Sequence, residues 1–327
     1  MSKTIVVTSL GSVAGDIVIK KLHAAGHRVV GCDIYPAAWV ADSLFVDAFY
    51  QVPYASDTEN YLTTLADICQ REKADFIFPL TDVDVDLFSA RRDWVAEQGV
   101  TVCFSPKETL DIARNKKTLA EFIAREVPEV TSIPTLMVRD VEELPWDFPV
   151  VCKPHNGRSS QGLRYIHSQE EWEQFRAVAD LDVYIVEPYV KGPIVMVEIV
   201  RQPETGTIVA MTREELLDTP HSCGLTVRTY REPELEEACK VLAERLGIWG
   251  NVNFEFLRDE AGVHHFVECN PRFSAGTEFM CLSGYDLVNN HLRCFMGEEI
   301  EPVEDYHWLT IARKYKEYVT GEEEPTC

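Results

Sequence analysis

Glu255 in the run GNVNFEFL, and Glu268 with Asn270 in HHFVECNPRFSAGTEF, are the residues of this chain best placed for chemistry. In the first run Val252, Phe254 and Phe256 alternate with Asn253 and Glu255, the period of a half-buried strand. The second run alternates less cleanly around Phe266, Val267 and Glu268 and breaks at Pro271. RDEAG between them is turn chemistry. The spacing predicts a hairpin that brings Glu255 beside Glu268, with Asn270 two residues on and on the same face. Facing like charges are costly unless a cation lies between them. Two anionic oxygens and an amide oxygen suit Mg²⁺ or Mn²⁺, whose other ligands are commonly waters and phosphate oxygens. Two exposed acids on an edge hairpin fit the same spacing.

Four further segments carry chemistry. FPVVCKPHNGRSSQGL delivers Lys153 from a strand into a loop holding Gly157, Ser159, Ser160 and Gly162. Small residues let backbone N–H groups point into a concavity, which suits phosphate oxygens, and Lys153 adds a flexible point charge. A plain hairpin loop with an exposed lysine has the same pattern. VEPYVKG runs from an apolar strand through Glu187 to Tyr189, Val190 and Gly192, and its backbone and the Glu187 carboxylate match the edge of an adenine ring. RNKKTLAEF places Lys116 and Lys117 near a helix start, where cations oppose the macrodipole and an anionic partner would be favoured, although a solvated surface lysine is the commoner case for any one residue. TPHSCGLTVR holds His221 and Arg228 in and beyond a Gly/Pro/Ser loop.

The bulk composition sets limits. At 327 residues the chain exceeds one typical domain. Lysine and arginine against aspartate and glutamate give 31 − 54 = −23, a poor balance for a nucleic-acid partner. A nucleotide remains accessible if the few cations gather in one cleft. No apolar run reaches the roughly 18 residues that span a bilayer. MSKTIVVTSLG enters a strand directly without a signal-peptide pattern. Ten scattered cysteines without a CxxC pair read as reduced thiols, and a cytoplasmic location is expected. Strand alternation turns Cys269 away from the two residues that flank it.

The elements that must position these groups begin with a βαβ alternation. TIVVTSL, HRVVGCDI, ADFIFPLTD and VTVCFS read as strands, and GSVAGDIVIKKLHAAG and ENYLTTLADICQREK as helices, which predicts a parallel sheet covered on both faces. SLGSVAGD lacks the full dinucleotide fingerprint. Gly11 and Gly15 are therefore assigned to helix–strand packing rather than to NAD, although Asp33 ends its strand where a ribose-binding acid would stand. A boundary falls near Ser105. KETLDIARNKKTLAEFIAREV reads as one amphipathic helix, SQEEWEQFRAVAD as another, VYIVEPYV as a strand, and the segment to about Thr229 as β-rich. EPELEEACKVLAERLGI is a helix with Pro233 at its start and Gly247 as its stop.

The order of these motifs is more specific than any one of them. Lys116, Lys153 with its loop, the Glu187 strand, His221, Glu255 and then Glu268–Asn270–Arg272 together resemble the ATP-grasp superfamily, in its carbamoyl-phosphate-synthase large-chain-like branch. VVCKPHNGRSSQGL matches the phosphate loop, FVECNPRFSAGTEF the metal strand, and TSLGSVAG, GCDIYP and FIFPLTD the pre-ATP-grasp domain. The resemblance implies an α/β ATP-grasp fold divided into a parallel-sheet pre-ATP-grasp domain (1–105), an N-terminal lobe with the phosphate loop (106–190) and a C-terminal lobe with the metal site (191–327). It implies that Lys116, Lys153, Gly157, Ser159, Ser160 and Gly162 meet the ATP phosphates, that Glu187, Tyr189 and Val190 hold adenine, and that His221 contacts ATP. Glu255, Glu268 and Asn270 would bind two Mg²⁺ or Mn²⁺ ions. Arg272 and Lys153 would act in catalysis, and Arg228, Arg272, Ser274 and the loop 275–278 would face the substrate. One position departs: Ile194 stands where many members carry a ribose-binding carboxylate, and Glu198 keeps the next acidic position.

The implied reaction phosphorylates a small carboxylate to an acyl phosphate and passes it to an amine, under a lid for which the loop 156–162 is the candidate. The same resemblance admits a stand-alone synthase-like subunit acting on bicarbonate or carbamate, and an ATP-binding regulatory protein. Small-molecule partners are expected, with neither nucleic acid nor membrane, and the fold class is compatible with a homodimer.

Overall fold

The computed structural model describes residues 2–158, 160–219 and 224–321. Ser159 and His221 lie outside the described residues.

The N-terminal region is a five-stranded parallel sheet of β1 (Thr4–Thr8), β2 (Arg28–Asp33), β3 (Ala48–Gln51), β4 (Phe76–Pro79) and β5 (Thr101–Val102), ordered β3-β2-β1-β4-β5. Its apolar strands are buried on both faces, as parallel sheets require. α1 (Gly15–Ala24) covers one face, and α2 (Thr58–Glu72) and α3 (Asp82–Ala90) cover the other; α4 (Arg92–Glu97) follows. The edge strand β3 was not legible in the sequence, because half-exposed Ala48, Phe49 and Tyr50 give no clean alternation. The glycine turn is structural. A Cβ on Gly15 would fall 2.0 Å from the Leu10 carbonyl oxygen, and the Gly11 N–H donates to Asp33 at 2.8 Å. Asp33 is thus engaged by its own chain, also accepting from Tyr35 N–H.

The single helix expected after residue 105 is two. α5 (Lys107–Ala113) ends before Asn115, whose side chain caps α6 (Lys116–Glu126) by accepting from the N–H groups of Lys117 and Thr118. A capping asparagine competes with helix continuation, and here it wins. The break matters because it makes Lys116 the first residue of a new helix.

A four-stranded sheet ordered β7-β10-β8-β9 contains β7 (Leu136–Met137), β8 (Val150–Pro154), β9 (Arg164–Ile166) and β10 (Tyr184–Pro188). α7 (Gln169–Val178), capped by Ser168, buries Trp172 against it. The third sheet has seven strands, ordered β16-β13-β12-β11-β14-β15-β6. These are β6 (Thr131–Ser132), β11 (Ile194–Gln202), β12 (Thr207–Asp218), β13 (Gly224–Tyr230), β14 (Gly250–Arg258), β15 (His264–Asn270) and β16 (Thr310–Ala312). α6 and α8 (Pro233–Leu246) pack on one face of it. α10 (Leu287–Met296), which follows the short α9 (Thr277–Leu282), buries Leu287, Val288 and Leu292 in a core shared with α1 and with Val200, Val209 and Met211. Of residues 106–190, then, the segment 107–132 packs with the seven-stranded sheet, and the strands from Leu136 to Pro188 form the four-stranded one.

Candidate active site

A cleft of about 560 Å³ separates the four-stranded and seven-stranded sheets. Its floor is the hairpin β14–β15. Glu255 pairs directly with Glu268, and Asn253 with Asn270. The register slips between Glu255 and Phe256, so that Val267 has no partner and forms a bulge. Simple alternation from buried Phe266 would turn Glu268 into the core. The bulge instead puts Glu268 and Asn270 in the cleft and leaves Cys269 buried among apolar side chains.

Two lysines reach these acids from other elements. Lys116 Nζ lies 2.9 Å from Glu268 Oε2 and donates to the Gly157 carbonyl at 2.9 Å. Lys153, at the end of β8, lies 2.8 Å from Glu187 Oε2 on the adjacent strand β10. Thr135 donates to the other oxygen of Glu187 at 3.0 Å. Burial opposes the Lys153 charge, but Glu187 outweighs it and holds the ammonium above its ordinary range. Burial and the facing Glu268 push the Glu255 carboxyl upward, with a smaller push from Glu215, while Lys153 and Lys116 pull it down. Burial works against ionisation of Glu268 too, yet Lys116 holds it below the usual carboxylate range. Two facing carboxylates with different affinities for protons, an amide oxygen beside them and lysines on the rim form a donor set that fits a hard divalent cation carrying phosphate.

Tyr189 and Val190 line the far end of the cleft with Pro188, and Tyr189 stands edge-on to Tyr165, ring centroids 5.8 Å apart. Ile133, Val151, Leu163, Met196 and Leu257 make this end apolar, a slot suited to an aromatic base. Ile194 lines the cleft at the position where the resemblance leads one to expect a carboxylate. Glu198 does not replace it. Glu198 is fully buried, accepting from Arg213 at 2.7 Å, from Asn253 at 3.1 Å, from Asn251 and from the Ser274 hydroxyl.

Gly157 and Ser160 line the roof, Gly162 lies beside it against Pro154 and Tyr184, and Lys116 ties the roof to the floor. Arg272 lines the cleft and donates to Asp82 of the N-terminal region at 3.0 and 3.2 Å and to Asn270 Oδ1 at 3.1 Å. Arg114 approaches the same Asp82 at 3.5 Å. Burial opposes the Asp82 charge, but the two guanidinium groups hold its carboxyl below the ordinary range.

Arg228 is not brought into the cleft. It pairs in register with Glu214, lies 2.8 Å from it and is half exposed. Strand alternation puts Glu214 on the opposite face from Arg213 and Glu215, which do line the cleft beside Ser274. The arginine in the cleft wall is therefore Arg213, buried and held by Glu215, Glu198 and Ser274. The sequence carried a partial signal for it: in MTREELLD three consecutive charges, Arg213, Glu214 and Glu215, interrupt the strand, and alternation puts the first and third on one face.

A βα N-terminal sheet joined to two β-lobes that clasp a lysine-rimmed, carboxylate-floored cleft is an arrangement suited to a nucleotide and its metal. Over the residues that one family model matches, the chain is similar to the ATP-grasp superfamily. A family model described as ATP-grasp in the biosynthetic pathway with Ter operon matches residues 180–316, and a PylC-like N-terminal domain matches residues 5–103. Among curated relatives, the 3-methyl-D-ornithine–L-lysine ligase of Methanosarcina mazei is 27% identical over 198 residues, covering 59% of this chain and 49% of the relative. The D-alanine–D-alanine ligase of Pediococcus pentosaceus is 27% identical over 140 residues, covering 39% and 40%. The chain thus spans less than half the length of the curated relatives it matches. Among solved structures, a biotin carboxylase–β,γ-ATP complex from Campylobacter jejuni superposes with a TM-score of 0.76 at 17% identity, covering 94% of this chain and 74% of the other. An L-amino acid ligase from Bacillus licheniformis gives 0.70 at 16% identity, covering 92% and 78%. At these identities the solved structures establish the fold.

Proposed function

We propose that the chain is an ADP-forming carboxylate–amine ligase. ATP phosphorylates a small carboxylate, and an amine then displaces phosphate from the acyl phosphate. The observation that carries this reading is the pair of lysines, Lys116 and Lys153, drawn from two different lobes onto the carboxylates that line one cleft. Phosphoryl transfer asks a protein for positioning and charge neutralisation more than for covalent help, and this arrangement supplies both. Glu255, Glu268 and Asn270 would hold Mg²⁺ or Mn²⁺, two ions in our reading. When bound, the metal screens the phosphate charge and aligns the transferring group. Lys116 and Lys153 bind phosphate oxygens, Glu187 orients Lys153, and Tyr189 and Val190 flank the base. Arg272, fixed by Asp82, faces the oxygens that gain charge in transfer. The loop 156–162 closes over the acyl phosphate and excludes water. Support comes from relatives that are named as ligases joining two amino acids.

ADP release, measured with a panel of carboxylates with and without amines, tests this reading. Stimulation that requires both is the expected result. Stimulation by bicarbonate alone would favour the synthase-like subunit acting on bicarbonate or carbamate. Ile194 favours a second reading, an ATP-binding regulatory protein with weak chemistry, because an apolar residue there removes an expected ribose contact. Absence of stimulation by any carboxylate or amine would support that one. A cytoplasmic location and a homodimer complete the proposal; among the described residues no helix is long and apolar enough to cross a membrane. A related biotin carboxylase domain with MgADP is described as a dimer, and light scattering of the purified chain tests the same assembly here.

A further inference from the structure

One helix of the N-terminal region holds two arginines from the rest of the chain. α3 starts at Thr81, whose hydroxyl accepts from the Asp84 N–H. Asp82 and Asp86 stand one turn apart on it and so share a face. Asp84, between them in sequence, is answered within the N-terminal region by Ser9, Thr81 and Tyr61. The Asp82–Asp86 face instead meets Arg272, through Asp82, and Arg114, through both aspartates.

Arg114 grips Asp86 with a two-pronged fork, Nε to Oδ1 at 2.8 Å and Nη2 to Oδ2 at 3.0 Å, and its Nη1 lies 3.5 Å from Asp82. Two such bonds from one planar group fix direction as well as distance. Burial disfavours the Arg114 charge, but Asp86 and Asp82, with a further contribution from Glu268 on the cleft floor, hold the guanidinium above its ordinary range.

What the fork fixes is the break between α5 and α6, where three consecutive residues have three different tasks. Arg114 grips α3. Asn115 caps α6. Lys116 opens α6: its ammonium meets Glu268 and the Gly157 carbonyl, each at 2.9 Å, and its N–H donates to the His155 carbonyl at 2.8 Å. α5 is held separately near its start by Thr109, which donates to the carbonyls of Leu246 and Gly247. Consecutive Cα atoms are only about 3.8 Å apart, so an anchor two residues away constrains the base of the Lys116 side chain directly.

We propose that Asp86 and Arg114 are positioning residues for Lys116, so that α3 of the N-terminal region sets where this ammonium meets the phosphates of the nucleotide. This rests on the reading above in which Lys116 binds phosphate. Neither Asp86 nor Arg114 is among the described residues that line the cleft, so their effect on a nucleotide passes through a residue that does.

Binding to the full chain tests this without reference to the two substrates of the ligase reaction. Calorimetry measures the affinity for the Mg²⁺ complex of AMPPNP, an ATP analogue that is not hydrolysed, and for adenosine, which has no phosphate. In Asp86→Asn the Kd for Mg–AMPPNP should rise roughly 3- to 10-fold, while that for adenosine stays within about 2-fold. Asp86→Glu, which keeps the carboxylate, should recover most of the loss. Arg114→Lys, whose ammonium cannot form the fork, should repeat the selective loss and serves if Asp86→Asn does not fold. In a Lys116→Met background Asp86→Asn should cost no further affinity, because the residue it acts through is gone. Unchanged Mg–AMPPNP affinity in both Asp86→Asn and Arg114→Lys overturns the proposal. So does an equal loss for adenosine, which would mark a general disturbance of the cleft, and so does an undiminished loss in the Lys116→Met background. A wild type that binds no AMPPNP would defeat the ATP reading and this assignment with it, whereas one that binds it without carboxylate- or amine-dependent ADP release would defeat the ligase reading alone.

Discussion

Two acidic pairs in this molecule look alike in sequence and differ in setting. Glu255 and Glu268 face one another across a hairpin. Asp82 and Asp84 stand at the start of α3, both almost completely buried. Every oxygen of the aspartates is answered from within the fold. Asp84 accepts from Ser9 at 2.7 Å, Thr81 at 2.8 Å and Tyr61 at 2.9 Å, and Asp82 holds Arg272 and Arg114. Among the described residues the glutamates have one direct cation between them, Lys116, and the Glu255 carboxyl is pushed upward by burial and by its neighbour. A buried acid that the fold satisfies is architecture, whereas one left under-compensated in a cleft is a ligand site.

Substitutions test that contrast. The largest expected effect is on turnover. Glu268→Ala should reduce ADP formation by about 10³-fold or more, because it removes a metal ligand and the partner of Lys116 together, while circular dichroism and melting temperature stay near those of the wild type. Wild-type-like turnover would break the comparison. Asp82→Ala should act the other way. Loss of the buried partner of two arginines costs about 3 kcal/mol of stability, read from denaturant unfolding, and releases Arg272 from its place.

His291 sharpens the same point with a base. It is buried between Phe78, Phe273 and Phe295, accepts from the Asn251 N–H, and burial lowers its pKa to about 3. The folded state therefore keeps it neutral where the unfolded chain, with an ordinary value near 6.5, takes up a proton. Stability is full above about pH 6.5 and falls as pH drops toward 3, by up to about 1.4 kcal/mol per pH unit from this group. Unfolding free energies measured at intervals between pH 7 and 5, compared with those of His291→Asn, should show a shallower slope in the variant. The smallest effect belongs to Arg228→Ala. Its side chain is half exposed and outside the cleft, so stability should move by no more than about 0.5 kcal/mol and the KM values should hold. A large rise in a substrate KM would restore Arg228 to the site.

Much of the fold was legible because its signals are local. The alternation in GNVNFEFL, the capped helix from Pro233 to Leu246, and the βα alternation before Ser105 each follow from periodicity and turn residues within a short window. The split at Asn115 was missed because an asparagine inside an amphipathic run reads as a tolerated helix residue until its side chain is seen capping. The hairpin pairing of Glu255 with Glu268 was readable, but the reason Glu268 faces the cleft was not. That depends on the bulge at Val267, which shifts register without leaving a composition signature.

By itself, the sequence determined which residue types exist to do chemistry, in what order, and on which local elements, because strand and helix periods are properties of short segments. Only the tertiary structure decided which charges meet. It sent Arg213 into the cleft wall and Arg228 out of it, assigned Glu198 to a satisfied internal network, and tied Arg272 to an aspartate from the opposite end of the chain. Such outcomes follow from strand register and burial summed over distant segments, which no local window contains.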